Sequence, residues 1–81
     1  MPLISVRLIE NVFTPEQKQQ ITHDLTEAMV AIEGERMRGV TWCVVEEVKS
    51  GDWAIGGQPL TTEAVQALAR GDVSLDRKSV V

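Results

Sequence analysis

Residues 2–9 read P-L-I-S-V-R-L-I, and this stretch opens the fold. Ile4, Val6 and Leu8 occupy alternate positions, while the residues between them are more mixed in character. An apolar period of two with β-branched residues is typical of a strand with one well-buried face. Pro2 stands at the first position, where a missing backbone N–H does least harm to a sheet. We therefore predict that the chain begins with a β-strand.

A helix-start signal follows this strand. Thr14 suits the N-cap, Pro15 suits the first helical position, and Gln17 is placed to complete a capping box. Apolar residues then recur at spacings of three and four, and Gly34 provides a stop signal. We predict a helix over residues 15–33. Its expected buried stripe is Ile21, Leu25, Ala28, Met29 and Ile32.

The next apolar stretch completes a βαβ unit. Residues 40–48 read V-T-W-C-V-V-E-E-V, which predicts a second strand, and residues 35–39 are expected to form a polar loop. A strand, a helix and a second strand predict parallel strands with a right-handed crossover. Residues 53–57, W-A-I-G-G, predict a hairpin that returns at its paired glycines.

A second, shorter helix is expected after the hairpin. Thr61 or Thr62 is suited to cap it, and Gly71 is suited to end it. The fold class is therefore α+β: parallel strands in a βαβ unit, followed by a C-terminal hairpin and a short helix. We predict one domain over residues 1–71 and a C-terminal tail over residues 72–81, either mobile or an intersubunit arm.

The chain has few ways to stabilise itself alone. It has 81 residues with one cysteine and one histidine, so neither an intrachain disulfide nor a Cys/His zinc cluster is possible. Two parallel strands also do not make a stable sheet by themselves. We therefore predict association through intersubunit sheets, with no structural metal.

Composition narrows the functional classes. The formal net charge is −4, which gives no overall attraction to nucleic-acid backbones. No apolar run approaches the roughly 20 residues that span a bilayer, and the first residues lack a basic region and an apolar signal core. We expect a soluble cytoplasmic protein that binds neither nucleic acid nor membrane.

Conventional catalytic groups are scarce. His23 lies off the apolar stripe and is expected to be solvated, and Cys43 in the second strand is expected to be a small buried residue. Pro2 directly follows Met1, so removal of Met1 would expose a secondary amine. The reference pKa of an α-amino group is about 7.7–8.0, which suits a proton shuttle near neutral pH. The alternative is that Pro2 merely starts a strand.

Taken in order, these segments resemble the 4-oxalocrotonate tautomerase family of small cofactor-free enzymes. The resemblance rests on the strand opening at Pro2 and closing at residues 8–10, on the helix start at residues 15–18, and on residues 44–47 and 53–57. It implies a dimer with a four-stranded sheet, commonly assembled as a homohexamer. It also implies that Pro2 is the catalytic base of a tautomerase or isomerase acting on a small 2-oxo or enol acid.

The resemblance also implies which residues form the site, and this sequence differs from typical members at two of those positions. Trp53 matches an aromatic pocket residue, and Leu8 is placed among the substrate-binding residues. Typical members carry an arginine shortly after the first strand and another at the start of the second. In this sequence the first position holds Val12 or Phe13, and the second position holds Trp42. We therefore expect a substrate less charged than a dicarboxylate, with Trp42 as a substrate contact or, equally, as interface core.

Arg36 and Arg38 are the candidate replacements for the two arginines. They lie just before Trp42 and would reach Pro2 of a neighbouring subunit; the alternative is that both are solvated loop cations. A hydratase-like or dehalogenase-like variant would use protonated Pro2 with Asp52 or Glu47 activating water. A non-catalytic oligomeric binding module on the same scaffold is the remaining alternative.

Overall fold

A computed structural model describes residues 2–71, and the chain divides into two compact units. Residues 2–7 and 13–46 belong to the first unit, and residues 8–12 and 47–71 belong to the second. Met1 and the predicted tail over residues 72–81 lie outside the described residues. The tail therefore stays a prediction.

Strands β1 (Leu3–Ile9) and β2 (Trp42–Val48) pair in a two-stranded sheet. At the start of the pair, the backbone N–H of Trp42 donates to the carbonyl of Pro2 at 3.0 Å. At its end, the N–H of Glu10 donates to the carbonyl of Val48 at 2.8 Å. The first residues of the two strands are therefore neighbours, and so are their last residues. This arrangement makes the strands parallel, as the βαβ pattern predicts.

The alternation predicted for β1 is confirmed. Leu3, Ser5 and Arg7 are exposed, whereas the intervening residues Ile4, Val6 and Leu8 are half-buried. Ile9 at the strand end is buried, with 6 % of its surface exposed. One face of the strand therefore supplies core contacts and the other does not.

Helix α1 (Pro15–Glu33) has the predicted bounds because its end signals are local. The Thr14 hydroxyl accepts from the N–H of Gln17 at 3.1 Å, and the Gln17 Oε1 accepts from the N–H of Thr14 at 2.9 Å. This reciprocal pair is the predicted capping box. At the other end, the N–H of Gly34 donates to the carbonyl of Val30, and the positive φ of Gly34 (105°) takes the chain out of the helix.

The buried face of α1 differs from the predicted stripe. Ile21, Leu25 and Met29 are half-buried, but Ala28 is exposed and Ile32 is 85 % exposed. Val30 is the buried residue of the helix. The predicted stripe counted only apolar residues, whereas Thr22, Thr26 and Glu33 are also half-buried. With these residues included, the buried face of the helix is centred closer to Val30, and Ile32 lies at its edge.

Residues 35–39 do not form the predicted polar loop. A 3₁₀ helix spans Glu35–Val40, and the N–H of Thr41 donates to the carbonyl of Arg38 at 3.2 Å to close its last turn. This turn delays the start of β2 to Trp42, two residues after the predicted position. Arg38 in this turn is bonded to the carboxylates of Glu27 and Glu35.

In the second unit, strands β3 (Trp53–Ile55) and β4 (Gln58–Leu60) form the predicted hairpin. Trp53 lies opposite Leu60, and the strands run antiparallel. Gly56 and Gly57 have φ values of 58° and 82°, and positive φ at both central residues is the requirement of a type I′ turn.

Helix α2 (Thr62–Arg70) shows which threonine is the cap. The Thr61 hydroxyl accepts from the N–H of Ala64 at 3.1 Å, so Thr61 is the N-cap, and left-handed Gly71 ends the helix. Thr62 is buried and 6 % exposed. Its hydroxyl donates to the carbonyl of Glu10 at 2.6 Å, and its N–H donates to the Ser50 hydroxyl at 2.9 Å. These bonds tie the start of α2 to two other segments of its unit.

Replacing Thr62 with valine is expected to lower the free energy of unfolding by about 1–3 kcal/mol, because the part-buried hydrogen bond from the Thr62 hydroxyl to the carbonyl of Glu10 is lost. Urea denaturation checks this prediction. Thr62→Ser is the matched control, since it keeps the hydroxyl and should retain most of the stability. Equal stability of Thr62→Val and the wild type would contradict this role.

The core of a single chain is small. Ile9 and Val30 are the buried apolar residues of the described chain, and no side chain in residues 2–71 is fully buried. By contrast, Leu3 is 63 % exposed and Trp42 is 57 % exposed. None of the helices within residues 2–71 is long and apolar enough to cross a bilayer.

Candidate active site

Pro2 stands immediately before β1 and is half-buried. Its carbonyl accepts the hydrogen bond from the N–H of Trp42, and both residues belong to the first unit. The parallel pairing of β1 and β2 therefore brings the start of the chain to the start of the second strand. Pro2 and Trp42 are the pair of predicted site residues that the structure brings together.

Trp42 has a large apolar side chain that is more than half exposed. It is the first residue of β2 and is 57 % exposed, although its backbone is held in the sheet. An exposed indole on a residue whose backbone is bonded to Pro2 fits either of the predicted roles, substrate contact or contact with a second copy of the chain.

Arg38 lies in the 3₁₀ helix and is held by two carboxylates. Its Nη1 and Nη2 donate to the two carboxylate oxygens of Glu27 at 2.6 and 3.1 Å. Its Nε and Nη2 donate to the two oxygens of Glu35 at 2.6 and 3.1 Å. All three guanidinium nitrogens are thus engaged, and we call Arg38, Glu27 and Glu35 the arginine clamp.

The clamp keeps all three groups ionised. Hydrogen bonds from Arg38 lower the pKa of Glu27 and of Glu35 below the ordinary glutamate value. The bonds to Glu27 and then to Glu35 raise the pKa of Arg38 further above its already high value. At neutral pH the clamp is one cation between two anions, which disfavours the approach of a third carboxylate to Arg38.

The pKa of Glu27 is lower in the folded chain than in the unfolded chain, so the clamp stabilises the fold at neutral pH. This contribution is lost as pH falls below the ordinary glutamate value, about 4.3, toward the lowered folded value. We therefore expect Glu27→Gln to be less stable than the wild type at pH 7. The deficit should be small, because the pair is exposed, and it should close as the solution is acidified.

Thermal unfolding of both chains at several pH values measures this effect. Glu46→Gln serves as the control, because Glu46 is an exposed β2 carboxylate outside the clamp and away from any helix end. A deficit in Glu27→Gln that persists unchanged in acid would show that it does not arise from the charge of Glu27.

Arg36 differs from Arg38 in its surroundings. It is exposed in the same 3₁₀ helix, and within residues 2–71 it makes no ion pair or side-chain hydrogen bond. A 3₁₀ helix has three residues per turn, so side chains two residues apart do not share a face. The two arginines are therefore not interchangeable.

The other predicted site residues belong to the second unit. Leu8 is half-buried near the end of β1, and Trp53 is half-buried at the start of β3. Asp52 lies in the exposed turn before Trp53, where its N–H donates to the carbonyl of Lys49 at 2.9 Å, and Glu47 is exposed near the end of β2. Among the described residues, no group of three or more His, Cys, Asp or Glu side chains is arranged to hold a metal ion.

Sequence reasoning missed the two carboxylates of the arginine clamp. The three-residue spacing of Glu35 and Arg38 was a usable signal, since such pairs are neighbours on a helix. Glu27 lies 11 residues from Arg38, so this pair depends on how α1 and the 3₁₀ helix meet. No local pattern predicts it.

Comparison with known proteins places the chain in a family. A family model described as "Tautomerase enzyme" matches residues 2–63. A probable tautomerase K2 from Dickeya dadantii is 31 % identical over 67 residues, which cover 83 % of this chain and 98 % of that protein. The chain belongs to the tautomerase family.

Solved structures agree with this assignment. A 4-oxalocrotonate tautomerase isozyme from Methylibium petroleiphilum superposes with a TM-score of 0.63 at 28 % identity, over 79 % of this chain and 97 % of that one. An apo structure of unfused 4-OT gives a TM-score of 0.65 at 29 % identity, over 79 % and 98 % of the two chains. The predicted resemblance and α+β fold are confirmed, and the family supports the prediction of a tautomerase-like enzyme.

Proposed function

We propose that the protein is a cofactor-independent tautomerase in which the amine of Pro2, exposed by removal of Met1, is the general base. The substrate is a small 2-oxo or enol acid. The observation that carries the proposal is the position of Pro2: it opens β1 and its carbonyl is held by the N–H of Trp42, in a chain of the tautomerase family.

The proposed step moves one proton and leaves the substrate as its keto tautomer. The free secondary amine of Pro2 takes the enol O–H proton and becomes an ammonium. The electron pair of the O–H bond forms the carbonyl, and the C=C pair takes a proton back from the ammonium at carbon. An α-amino group titrates near pH 7.7–8.0, so free base and ammonium coexist close to neutral pH, as both halves of this step require.

The pocket proposed around Pro2 is apolar with a single cationic contact. Trp42, whose backbone N–H is bonded to the carbonyl of Pro2, supplies an exposed indole. Trp53 and Leu8 are proposed as substrate contacts on the family resemblance alone. Since the two arginine positions of typical members hold other residues, the substrate carries fewer carboxylates than 4-oxalocrotonate. Arg36 or Arg38 of a neighbouring subunit is proposed to meet its carboxylate.

Association completes both the fold and the pocket in this proposal. The strand segments of the first unit expose Leu3, Trp42 and Val44, of which Leu3 and Trp42 are more than half exposed. Burial of exposed apolar surface of this kind would stabilise an assembly of chains. We propose that a second copy of the chain covers it, in a homodimer or a homohexamer.

Phenylenolpyruvate tests the function directly, because it combines one carboxylate, one enol and an aromatic group. Protein whose intact mass shows that Met1 is absent should accelerate loss of the enol absorbance. The kcat/KM of this protein for phenylenolpyruvate should rise with pH as the Pro2 ammonium deprotonates. A rate equal to that of buffer alone would contradict the proposed activity.

A further inference from the structure

We propose that Arg38 is a positioning residue for the Pro2–Trp42 pair and does not bind the substrate carboxylate. This rests on the proposed function of Pro2, which it deepens by giving one of the two candidate arginines a different role. The arginine clamp provides the first support: Nε, Nη1 and Nη2 of Arg38 all donate to Glu27 or Glu35. These bonds use four of the five guanidinium N–H donors. A substrate carboxylate that accepted two N–H donors from Arg38 would have to displace one of the bonds, while facing two negative charges.

A continuous set of contacts runs from the clamp to Pro2. Glu27 belongs to α1, so its bonds to Arg38 fasten the 3₁₀ helix to that helix. The carbonyl of Arg38 then accepts from the N–H of Thr41, at 3.2 Å. The next residue is Trp42, whose N–H donates to the carbonyl of Pro2.

Thr41 adds a second tie to α1 at the same point. Its hydroxyl lies 2.7 Å from the carbonyl of Met37 and also within hydrogen-bonding distance of the Glu33 carboxylate, so these acceptors share its one proton. The residue before Trp42 is thus held both to the 3₁₀ helix and to the last turn of α1. Loosening the clamp should therefore loosen the Trp42–Pro2 hydrogen bond.

Amide hydrogen exchange at Trp42 tests the positioning role without any substrate. We compare the wild type with Arg38→Gln, using ¹⁵N-labelled protein and NMR detection. Exposed ion pairs contribute modestly, so Trp42 exchange should be about two- to fivefold faster in Arg38→Gln. Arg36→Gln is the matched control: it removes the same charge two residues away and should leave the Trp42 exchange rate unchanged.

Glu27→Gln removes the partner of Arg38 on α1 and therefore tests the same contact. It replaces Arg38→Gln in the exchange experiment if Arg38→Gln does not fold. It should also accelerate Trp42 exchange, whereas Arg38→Lys should fall between wild type and Arg38→Gln, because an ammonium cannot bond both carboxylates as a fork does. Unchanged Trp42 exchange in both Arg38→Gln and Glu27→Gln would overturn the positioning role, whatever the activity.

Kinetics separate positioning from substrate binding. With phenylenolpyruvate and its uncharged methyl ester, Arg38→Gln should lower kcat to the same extent for both and change KM little. A rise in KM for the acid alone would overturn the proposal, because it would show that Arg38 meets the carboxylate. If the wild type turned over neither compound, the proposed function would fail, and the exchange result alone would decide the role of Arg38.

Discussion

Replacing Pro2 with alanine is expected to lower kcat/KM for phenylenolpyruvate by about 10²- to 10⁴-fold, the usual contribution of a positioned general base. The proline ring fixes the direction of its nitrogen relative to the backbone, and the bond between the Pro2 carbonyl and the Trp42 N–H holds that backbone. Alanine keeps an amine but lets it rotate, so proton transfer loses its geometry. Continuous assay of enol loss measures the effect.

Pro15→Ala is the matched control for this substitution. Pro15 is exposed at the first position of α1 and bears no relation to the proposed base. It should keep wild-type activity with a small loss of helix stability. Undiminished activity in Pro2→Ala would show that the proline ring is not needed to direct the N-terminal amine, and would contradict the geometric role proposed for it.

Replacing Trp42 with arginine is expected to lower KM for the dicarboxylate 4-oxalocrotonate by about tenfold to hundredfold. The resemblance to the tautomerase family implies an arginine at this position, and the structure places Trp42 beside Pro2 with 57 % of its surface exposed. A hydrogen bond to a charged group contributes about 1.5–3 kcal/mol, which corresponds to this range. Steady-state kinetics with the two substrates measure the change.

Trp42→Gln separates the added charge from the lost indole. It should weaken the use of phenylenolpyruvate as Trp42→Arg does, but it should not improve the use of the dicarboxylate. If Trp42→Arg and Trp42→Gln gave the same KM for the dicarboxylate, Trp42 would not face the substrate, and its exposed indole would be better explained as a contact with a second copy of the chain.

The elements of this fold were predictable because their signals are local. The capping box at Thr14 and the stop at Gly34 bound α1 at the residues expected, and the paired glycines 56 and 57 form the hairpin turn. The period of two in β1 also predicts which side chains are half-buried. Each of these depends on contacts within a few residues, which a sequence pattern can represent.

The features that were missed depend on contacts between distant segments. Val30 rather than Ile32 is buried in α1 because half-buried polar residues also face the core. The 3₁₀ helix replaces a predicted loop where Arg38 meets Glu27 of α1. Both require knowledge of how α1 packs, which the spacing of apolar residues does not contain.

The candidate site also has features that follow from the sequence and features that do not. The proximity of Pro2 and Trp42 follows from the parallel βαβ order, since that order brings the starts of both strands together. The different surroundings of Arg36 and Arg38 do not follow from sequence, where both look like solvated cations before a strand. The roles of Leu8 and Trp53 stay predictions.

The state of the N-terminal amine tests the central claim most directly. Two preparations of the same chain, one with Met1 removed and one with Met1 retained, are distinguished by intact mass and assayed with phenylenolpyruvate. Retained Met1 turns the secondary amine of Pro2 into an amide, which is not a base at neutral pH. We predict activity in proportion to the fraction of chains without Met1; full activity in chains that retain it would contradict a mechanism based on Pro2.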